Sequence, residues 1–178
     1  GFPLVVKPDT QATSLGVSVV FDETQLAAAL SRCFALDSFG LMEAYVAGTE
    51  WTVGLWDARP LPAICTETPR GFYDYQAKYE DDQTLYHFDP SVPPKVLSEV
   101  QQVAARAGQA LGTTGIARVD LRLDAALRPW VLEVNTLPGM TDHSLIPKAA
   151  ARLGISFTDL CGKIVDDVIA AAQHRHAA

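Results

Sequence analysis

The segment from residue 115 to residue 135 is the strongest constraint on how this 178-residue chain can fold. Apolar and polar residues alternate along 117–124 and, after an apolar start, along 132–135, and a short turn joins the two runs at 115–124 and 129–135. Strict alternation is typical of β-strands, and two such runs with a short connection predict an antiparallel hairpin.

The predicted hairpin has an apolar face and a polar face. With the turn centred between Ala126 and Leu127, Asp120 lies opposite Glu133, and Arg118 lies opposite Asn135, all on the polar face. The other face is wholly apolar and is expected in the core: Val119, Leu121, Leu123, Trp130, Leu132 and Val134. This assignment requires a regular ladder, because a bulge would turn Asp120 to the wrong face.

Two carboxylates that lie directly opposite each other repel, so Asp120 and Glu133 need compensation. Salt bridges from Arg118 and Arg122, or solvation on an open face, would provide it. A divalent cation is the alternative, because Asp, Glu and an Asn carbonyl are hard oxygen ligands that suit Mg²⁺. The pattern alone leaves both alternatives open.

The rest of the chain alternates short β-rich runs with helical windows, which predicts an α+β fold. Strands are expected at 4–7, 16–20, 41–46, 50–56 and 61–67, and helices at 22–36, 95–111, 144–153 and 156–173. A long aromatic and polar stretch without periodicity, 68–94, is typical of a functional loop. In the last helix an apolar stripe is expected to pack in the core: Phe157, Leu160, Cys161, Ile164, Val165 and Val168.

Composition excludes several classes of protein. The chain has 14 basic and 21 acidic residues and a net charge of −7, so we expect neither a nucleic-acid partner nor a membrane partner. Its three cysteines are widely spaced, which indicates neither a disulfide framework nor a zinc site. No long apolar run or signal peptide is present, and a cytoplasmic location is expected. The start at Gly1, without an initiator Met, indicates a piece of a longer chain.

Three segments carry residue types that suit phosphate or anion binding. Lys7 leaves the first strand into a hydroxyl-rich loop containing Thr13 and Ser14, although a solvated lysine in a turn would look the same. Lys78 lies in an aromatic stretch, GFYDYQAKY, whose composition suits a lid over a ligand or a loop packed by its own aromatics. Ser144 precedes a predicted helix and is either an anion contact or an ordinary N-cap.

Together these motifs resemble the D-alanine–D-alanine ligases of the ATP-grasp superfamily. The segments that carry the resemblance are KP with its loop, FYDYQAKY, GIARVD and LEVNTLPGMTDHSL, in the same order along nearly the whole chain. The resemblance implies an ATP-grasp fold of largely antiparallel sheets with flanking helices. It divides the chain into a small lobe, 1–66, and a C-terminal lobe, 67–178, with an omega-type loop at 68–94. The N-terminal domain of the family is absent and is expected as a partner.

The resemblance also implies an activity, the ATP-dependent ligation of two D-alanines through an acyl phosphate, for peptidoglycan synthesis. Mg²⁺, or Mn²⁺ in its place, would be held by Asp120, Glu133 and Asn135. The ATP contacts would be Lys7, Thr13, Ser14, Glu43, Tyr45, Val46, Glu50, Phe72, Lys78 and Leu132, with Glu50 on the ribose hydroxyls. Arg118 and the backbone of Gly139 would stabilise the tetrahedral intermediate, Ser144 would bind the second D-alanine, and Tyr79 would position the substrate loop.

Two departures from the family pattern bear on function. The phosphate loop reads QATS where a Gly and two serines are usual, and Arg122 replaces a residue that is often apolar. Without the N-terminal part the chain is expected to be an incomplete catalyst. A nucleotide-binding module without ligase activity and a D-alanine–D-lactate ligase are the alternatives; the presence of Tyr79 favours a D-amino acid acceptor.

Overall fold

The computed structural model describes residues 1–11, 14–67, 84–88, 91–141 and 144–176, and for 174–176 the backbone alone. The chain forms two compact units, Gly1–Ala47 with Glu67–Leu85, and Gly48–Thr66 with Tyr86–Ala178. This differs from the division at 66/67 that the resemblance implies. The reason is strand pairing, because the strand that begins at Thr49 pairs along its length with the first strand of the 115–135 hairpin.

The first unit is built on a three-stranded antiparallel sheet with one helix. Its strands are β1 (Leu4–Pro8), β2 (Ser18–Val20) and β3 (Gly40–Ala44), in the order β2-β1-β3, and the helix α1 spans Glu23–Phe34. Asp22 caps α1, because its carboxylate accepts a hydrogen bond of 2.9 Å from the backbone N–H of Thr24. The core of this unit consists of Val6, Val20, Ala29 and Cys33.

A six-stranded sheet forms the body of the second unit. Its strands are β4 (Thr49–Trp56), β5 (Arg59–Pro60), β6 (Ile64–Glu67), β7 (Leu85–His87), β8 (Ile116–Leu123) and β9 (Pro129–Asn135). The order is β7-β6-β4-β8-β9, with β5 paired to β4. The helices are α2 (Pro94–Ala110), α3 (Leu145–Ala151) and α4 (Phe157–His176).

Helices cover different parts of this sheet. On one face α2 packs against a core that includes Trp51, Val53 and Leu121. On the other face Ile146 of α3 approaches β4 at Gly54, where a Cβ atom would lie 3.3 Å from its Cγ1. A glycine at this strand position therefore allows the helix to come close, and the remainder of the second face is left to polar side chains.

The predicted α+β architecture, with antiparallel sheets and flanking helices, is confirmed. The predicted stripe on α4 is wrong in part. Leu160 is buried, whereas Phe157, Val165 and Val168 are 41%, 56% and 61% exposed. Among the described residues, no helix has the length and apolar character needed to span a membrane.

Candidate functional site

The polar face of the six-stranded sheet brings charged residues from three strands into register. Glu50 of β4 lies opposite Arg122 of β8, and Thr52 lies opposite Asp120. Asp120 in turn lies opposite Glu133 of β9, and Arg118 lies opposite Asn135. The two pairings predicted from the alternation are therefore confirmed.

A β-bulge interrupts the hairpin next to these pairs. The register shifts between Asp120 and Leu121, so that Leu121 lies opposite Val131 and Arg122 opposite Trp130. The prediction that Trp130 lies on the core face is wrong, because the extra residue in β9 reverses the alternation toward the turn. Trp130 is half-exposed and its indole N–H donates to Asp124 Oδ2 at 3.0 Å. Leu132 has no partner in the ladder and is absent from the core cluster of the sheet.

The turn of the hairpin is organised by Asp124, a residue that sequence reasoning missed. Hydrogen bonds from the backbone N–H of Arg128 and from the Trp130 indole lower the pKa of Asp124 from its ordinary 3.8 to about 2. Arg128 also pairs with it, at 2.9 Å between Nη2 and Oδ2. An Asp at the first position of a turn was the available signal.

Arg118 compensates the two opposed carboxylates. Its Nε and Nη2 atoms donate to the two oxygens of Asp120 at 3.0 and 2.8 Å, and Nη2 lies 3.8 Å from Glu133 Oε1. The hydroxyl of Thr52 donates to Asp120 at 2.8 Å. Asp120 is buried, and the side chain of Glu133 is 41% exposed. Of the two arginines predicted to compensate this pair, Arg118 does so, and Arg122 pairs elsewhere.

These residues fit a magnesium site of the kind that substrate phosphates complete. Two carboxylates face each other on neighbouring strands, one buried and one open to solvent, and both are hard ligands. Asn135 stands beside them, with its Oδ1 accepting from the backbone N–H of Leu137 at 2.9 Å. Within the described ranges no group of three or more His, Cys, Asp or Glu could hold a metal. A Mg²⁺ ion bound by one or two carboxylates and by phosphates does not need such a group.

Arg122 is buried against Glu50 on the same face. Its Nη1 lies 3.5 Å from Glu50 Oε2, and its Nη2 donates to the carbonyl oxygen of Gly48 at 2.5 Å. Thr66 lies opposite Glu50 on its other side. The hydroxyl of Thr66 is buried and has no hydrogen-bond partner in the described part of the chain.

Gly139 and Ser144 lie together after β9. A Cβ atom at Gly139 would be 3.4 Å from Ser144 Oγ. Ser144 stands at the N-cap position of α3, but its side chain makes no capping hydrogen bond to the helix. Its Oγ accepts instead from the backbone N–H of Thr141 at 3.0 Å. The hydroxyl therefore stabilises the loop that leads into α3.

In the first unit the predicted nucleotide residues lie on β1 and β3 and in the segments that follow these strands. Lys7 Nζ forms an ion pair of 2.9 Å with Glu43 Oε2. The backbone N–H of Tyr45 donates to the carbonyl oxygen of Pro3 at 3.3 Å, and Val46 follows it, half-buried. Ser14 has a φ of 59°, a left-handed conformation that strains a residue with a side chain.

Four predicted site residues lie outside the described residues: Thr13, Phe72, Lys78 and Tyr79. Most of the predicted loop at 68–94 lies there as well, although β7 and the start of α2 fall within it.

Comparison with known proteins gives a consistent result. The family model described as D-ala D-ala ligase C-terminus matches residues 1–166. A D-alanine–D-alanine ligase of Alkalilimnicola ehrlichii is 41% identical over 167 residues, which are 94% of this chain and 54% of the relative. The crystal structure of the Bacillus anthracis D-alanine–D-alanine ligase superposes with a TM-score of 0.84 at 35% identity, covering 98% of this chain and 57% of that one. Its complex with ATP superposes with a TM-score of 0.83 at 32% identity, covering 98% and 55%. The chain thus spans about half the length of the relatives that it matches.

Proposed function

The chain belongs to the D-ala D-ala ligase C-terminus family, and on this premise we propose that it is the ATP- and Mg²⁺-binding part of a D-alanine–D-alanine ligase. The observation that carries the proposal is the opposition of Asp120 and Glu133 on the polar face, with Arg118 between them. Two opposed carboxylates are hard oxygen ligands that suit a divalent cation.

Asp120, Glu133 and Asn135 would hold the Mg²⁺ ion. When bound, this ion neutralises charge on the phosphates of ATP. Arg118 would also donate to the substrate, because a guanidinium offers five N–H donors in a fixed fork. The open side chain of Glu133 supports this site, since a hydrated ion can reach it.

For the nucleotide, Lys7 would bind phosphate by exchanging its partner Glu43, which is 39% exposed. Leu132, which the bulge takes out of the ladder, would pack on the adenine together with Phe72. Glu50 would accept hydrogen bonds from the ribose hydroxyls. The remaining proposed contacts are Ser14, Thr13 and Lys78 with phosphates, and Glu43, Tyr45 and Val46 with adenine.

The reaction would proceed in two transfers. The γ-phosphoryl group of ATP passes to a carboxylate oxygen of the first D-alanine, and ADP leaves. The amine of the second D-alanine then attacks the carbonyl carbon, the peptide bond forms, and inorganic phosphate leaves. Arg118 and the backbone N–H of Gly139 would stabilise the oxyanion of the tetrahedral intermediate.

The second D-alanine would be bound through its carboxylate by Ser144, and Tyr79 would position the substrate loop. Gly139 and Ser144 are neighbours, which supports a shared role at the acceptor. The rest of the ligase would supply the first D-alanine subsite, and the product would enter peptidoglycan synthesis in the cytoplasm. The 178-residue chain alone is therefore expected to bind nucleotide without completing the reaction.

Calorimetric titration of this chain with ATP, with and without Mg²⁺, tests the proposal. We expect binding that depends on Mg²⁺, and a loss of about tenfold or more in affinity for Glu133→Gln, since this removes one anionic ligand. Glu99→Gln is the matched control, because Glu99 is exposed on α2, which packs against the other face of the sheet.

Circular dichroism of each variant shows whether it is folded. A folded wild-type chain that binds no ATP contradicts the proposal that these residues form the nucleotide site. Equal binding with and without Mg²⁺, unchanged in Glu133→Gln, contradicts the metal assignment alone.

A further inference from the structure

The Arg122–Glu50 pair is buried in the polar face of the sheet. The side chains are 7% and 13% exposed, and the closest nitrogen and oxygen atoms are 3.5 Å apart. The two residues lie directly opposite each other on β8 and β4, so their side chains are neighbours on one face of the sheet. The guanidinium also binds the carbonyl oxygen of Gly48, at the first residue of the second unit.

A buried pair of this kind is not explained by stability. Removing two charges from water costs several kcal/mol per ion, and apolar residues of similar volume are often as stable or more stable. The role of Arg122 is therefore to be found in its effect on Glu50.

What Arg122 does is hold one carboxylate in one orientation. Its planar guanidinium is fixed at two points, by the Gly48 carbonyl and by Glu50 Oε2, and a fork fixed at two points cannot rotate freely. A carboxylate has about four lone-pair sites on two oxygens, so Glu50 can accept hydrogen bonds from more than one partner. The buried hydroxyl of Thr66, opposite Glu50 on β6, adds a further polar group beside it.

We propose that Arg122 is a positioning residue that sets Glu50 to accept both ribose hydroxyls of ATP and so makes the site selective for the ribose. This inference rests on the proposed function, which places the ribose at Glu50. ATP carries several negative charges, and an uncompensated carboxylate beside it would weaken its binding. Arg122 cancels that charge and leaves the acceptor geometry in place.

The test measures the affinity of the chain for ATP and for 2′,3′-dideoxy-ATP, which lacks both hydroxyls, by calorimetry in the presence of Mg²⁺. The readout is the ratio of the two dissociation constants in the wild type, Glu50→Gln, Arg122→Met, Arg122→Lys and the double variant Glu50→Gln/Arg122→Met. Arg106→Met is the matched control, because Arg106 is exposed on α2.

The wild type is expected to bind ATP about tenfold or more tightly than the dideoxy nucleotide, since hydrogen bonds to a charged acceptor are strong. Arg122→Met should lower this ratio to about twofold, and Arg122→Lys should keep an intermediate ratio, because it retains the charge without the fork. In the Glu50→Gln background Arg122→Met should change the ratio no further, since Arg122 acts through Glu50. The control should keep the wild-type ratio.

The outcomes separate the two proposals. A wild-type chain that binds neither nucleotide overturns the proposed function and this inference with it. A wild type that binds ATP, with a ratio unchanged in folded Arg122→Met or Arg122→Lys, overturns this inference alone. Should Arg122→Met fail to fold, the lysine variant decides, because it keeps the positive charge in the sheet.

Discussion

Each of the two units carries a cross-strand pair between a basic residue and a glutamate, and the two pairs differ in burial. Lys7 and Glu43 are 2.9 Å apart with side chains 19% and 39% exposed, whereas Arg122 and Glu50 are 3.5 Å apart and 7% and 13% exposed. The pair with the shorter distance, Lys7–Glu43, is therefore the more exposed to solvent. Because the attraction between charges is screened in water and desolvation dominates in a sheet interior, burial decides how much each pair matters.

The two pairs also differ in how they are held. Lys7 lies opposite Leu41 and Glu43 lies opposite Val5, so this pair is a diagonal contact between flexible side chains. Arg122 lies directly opposite Glu50 and is anchored to a backbone carbonyl. An exposed diagonal pair can exchange partners at low cost, as a phosphate contact must. The anchored Arg122–Glu50 pair is suited to keeping the Glu50 carboxylate in one orientation.

The largest effect is expected from a substitution at Gly48, whose carbonyl oxygen accepts a hydrogen bond from Arg122 of the buried pair. Gly48 has a φ of +142°, and a Cβ atom there would lie 1.9 Å from the carbonyl oxygen of Leu123. Gly48→Ala must therefore displace β4 from β8, and we expect a loss of about 4 kcal/mol in the free energy of unfolding. Urea denaturation followed by circular dichroism measures it.

The control for that variant is Gly112→Ala, because Gly112 has a φ of +65° and no atom of the described residues lies within 4 Å of the added Cβ. It should cost about 1 kcal/mol through backbone strain alone. Equal losses in the two variants would show that the close approach at Gly48 is unimportant.

The next largest effect is expected when the Arg122–Glu50 pair itself is broken. Arg122→Met leaves Glu50 buried without its guanidinium, and we expect a loss of about 3 kcal/mol in the free energy of unfolding. Glu50→Gln/Arg122→Met should recover more than half of that loss, because no uncompensated charge remains. The same urea titration decides, and a loss below about 1 kcal/mol in Arg122→Met would contradict burial as the controlling quantity.

The exposed pair should respond weakly to the equivalent change. Lys7→Met is expected to lower the free energy of unfolding by about 0.5 kcal/mol, and 1 M salt should remove most of the difference, since salt screens exposed charges. Measurement at low and high salt sharpens the comparison. A loss as large as that of Arg122→Met would mean that distance, not burial, controls the two pairs.

The smallest effect concerns one hydrogen-bonded aspartate in each unit. Hydrogen bonds from the Thr10 hydroxyl and backbone lower the pKa of Asp37 to about 2, and those from Arg128 and Trp130 do the same for Asp124. A folded-state pKa below the ordinary 3.8 means that each group stabilises the fold above about pH 4. That stabilisation is lost as the pH falls through about 2.

Urea midpoints between pH 5 and pH 2 therefore should fall less steeply in Asp37→Asn and Asp124→Asn than in the wild type. Both groups are half-buried and both have a pKa lowered to about 2, so the two changes in slope should be similar. A wild-type slope in either variant would show that its hydrogen bonds do not persist in solution.

Alternation was sufficient to predict the most important feature of the site. Because side chains repeat every two residues along a strand, the positions of Asp120 and Glu133 on one face followed from a single assumption about the turn. The bulge was not predictable, because Trp130, Val131 and Leu132 are all apolar and the sequence does not show which of them is the extra residue. Trp130 was consequently placed on the wrong face.

Other errors also have physical causes. A stripe of apolar residues on α4 shows which face can be buried, but Val165 and Val168 remain exposed because burial needs a partner surface. The pairing of β4 with β8 joins residues far apart in sequence, so the compact units do not follow the 66/67 division, which stays a prediction for the two lobes. The Arg122–Glu50 contact was missed for the same reason.

The bulge at Leu132 has one more consequence for the hairpin. Every other residue from Pro129 to Asn135 has a partner on β8, so Leu132 is the one residue that the ladder leaves over. On one side of the bulge the pairs run from Arg118–Asn135 to Asp120–Glu133. On the side of the turn they run from Leu121–Val131 to Leu123–Pro129. The bulge thus divides the hairpin into two short ladders of different register, and the one that holds Asp120 opposite Glu133 is the one farther from the turn.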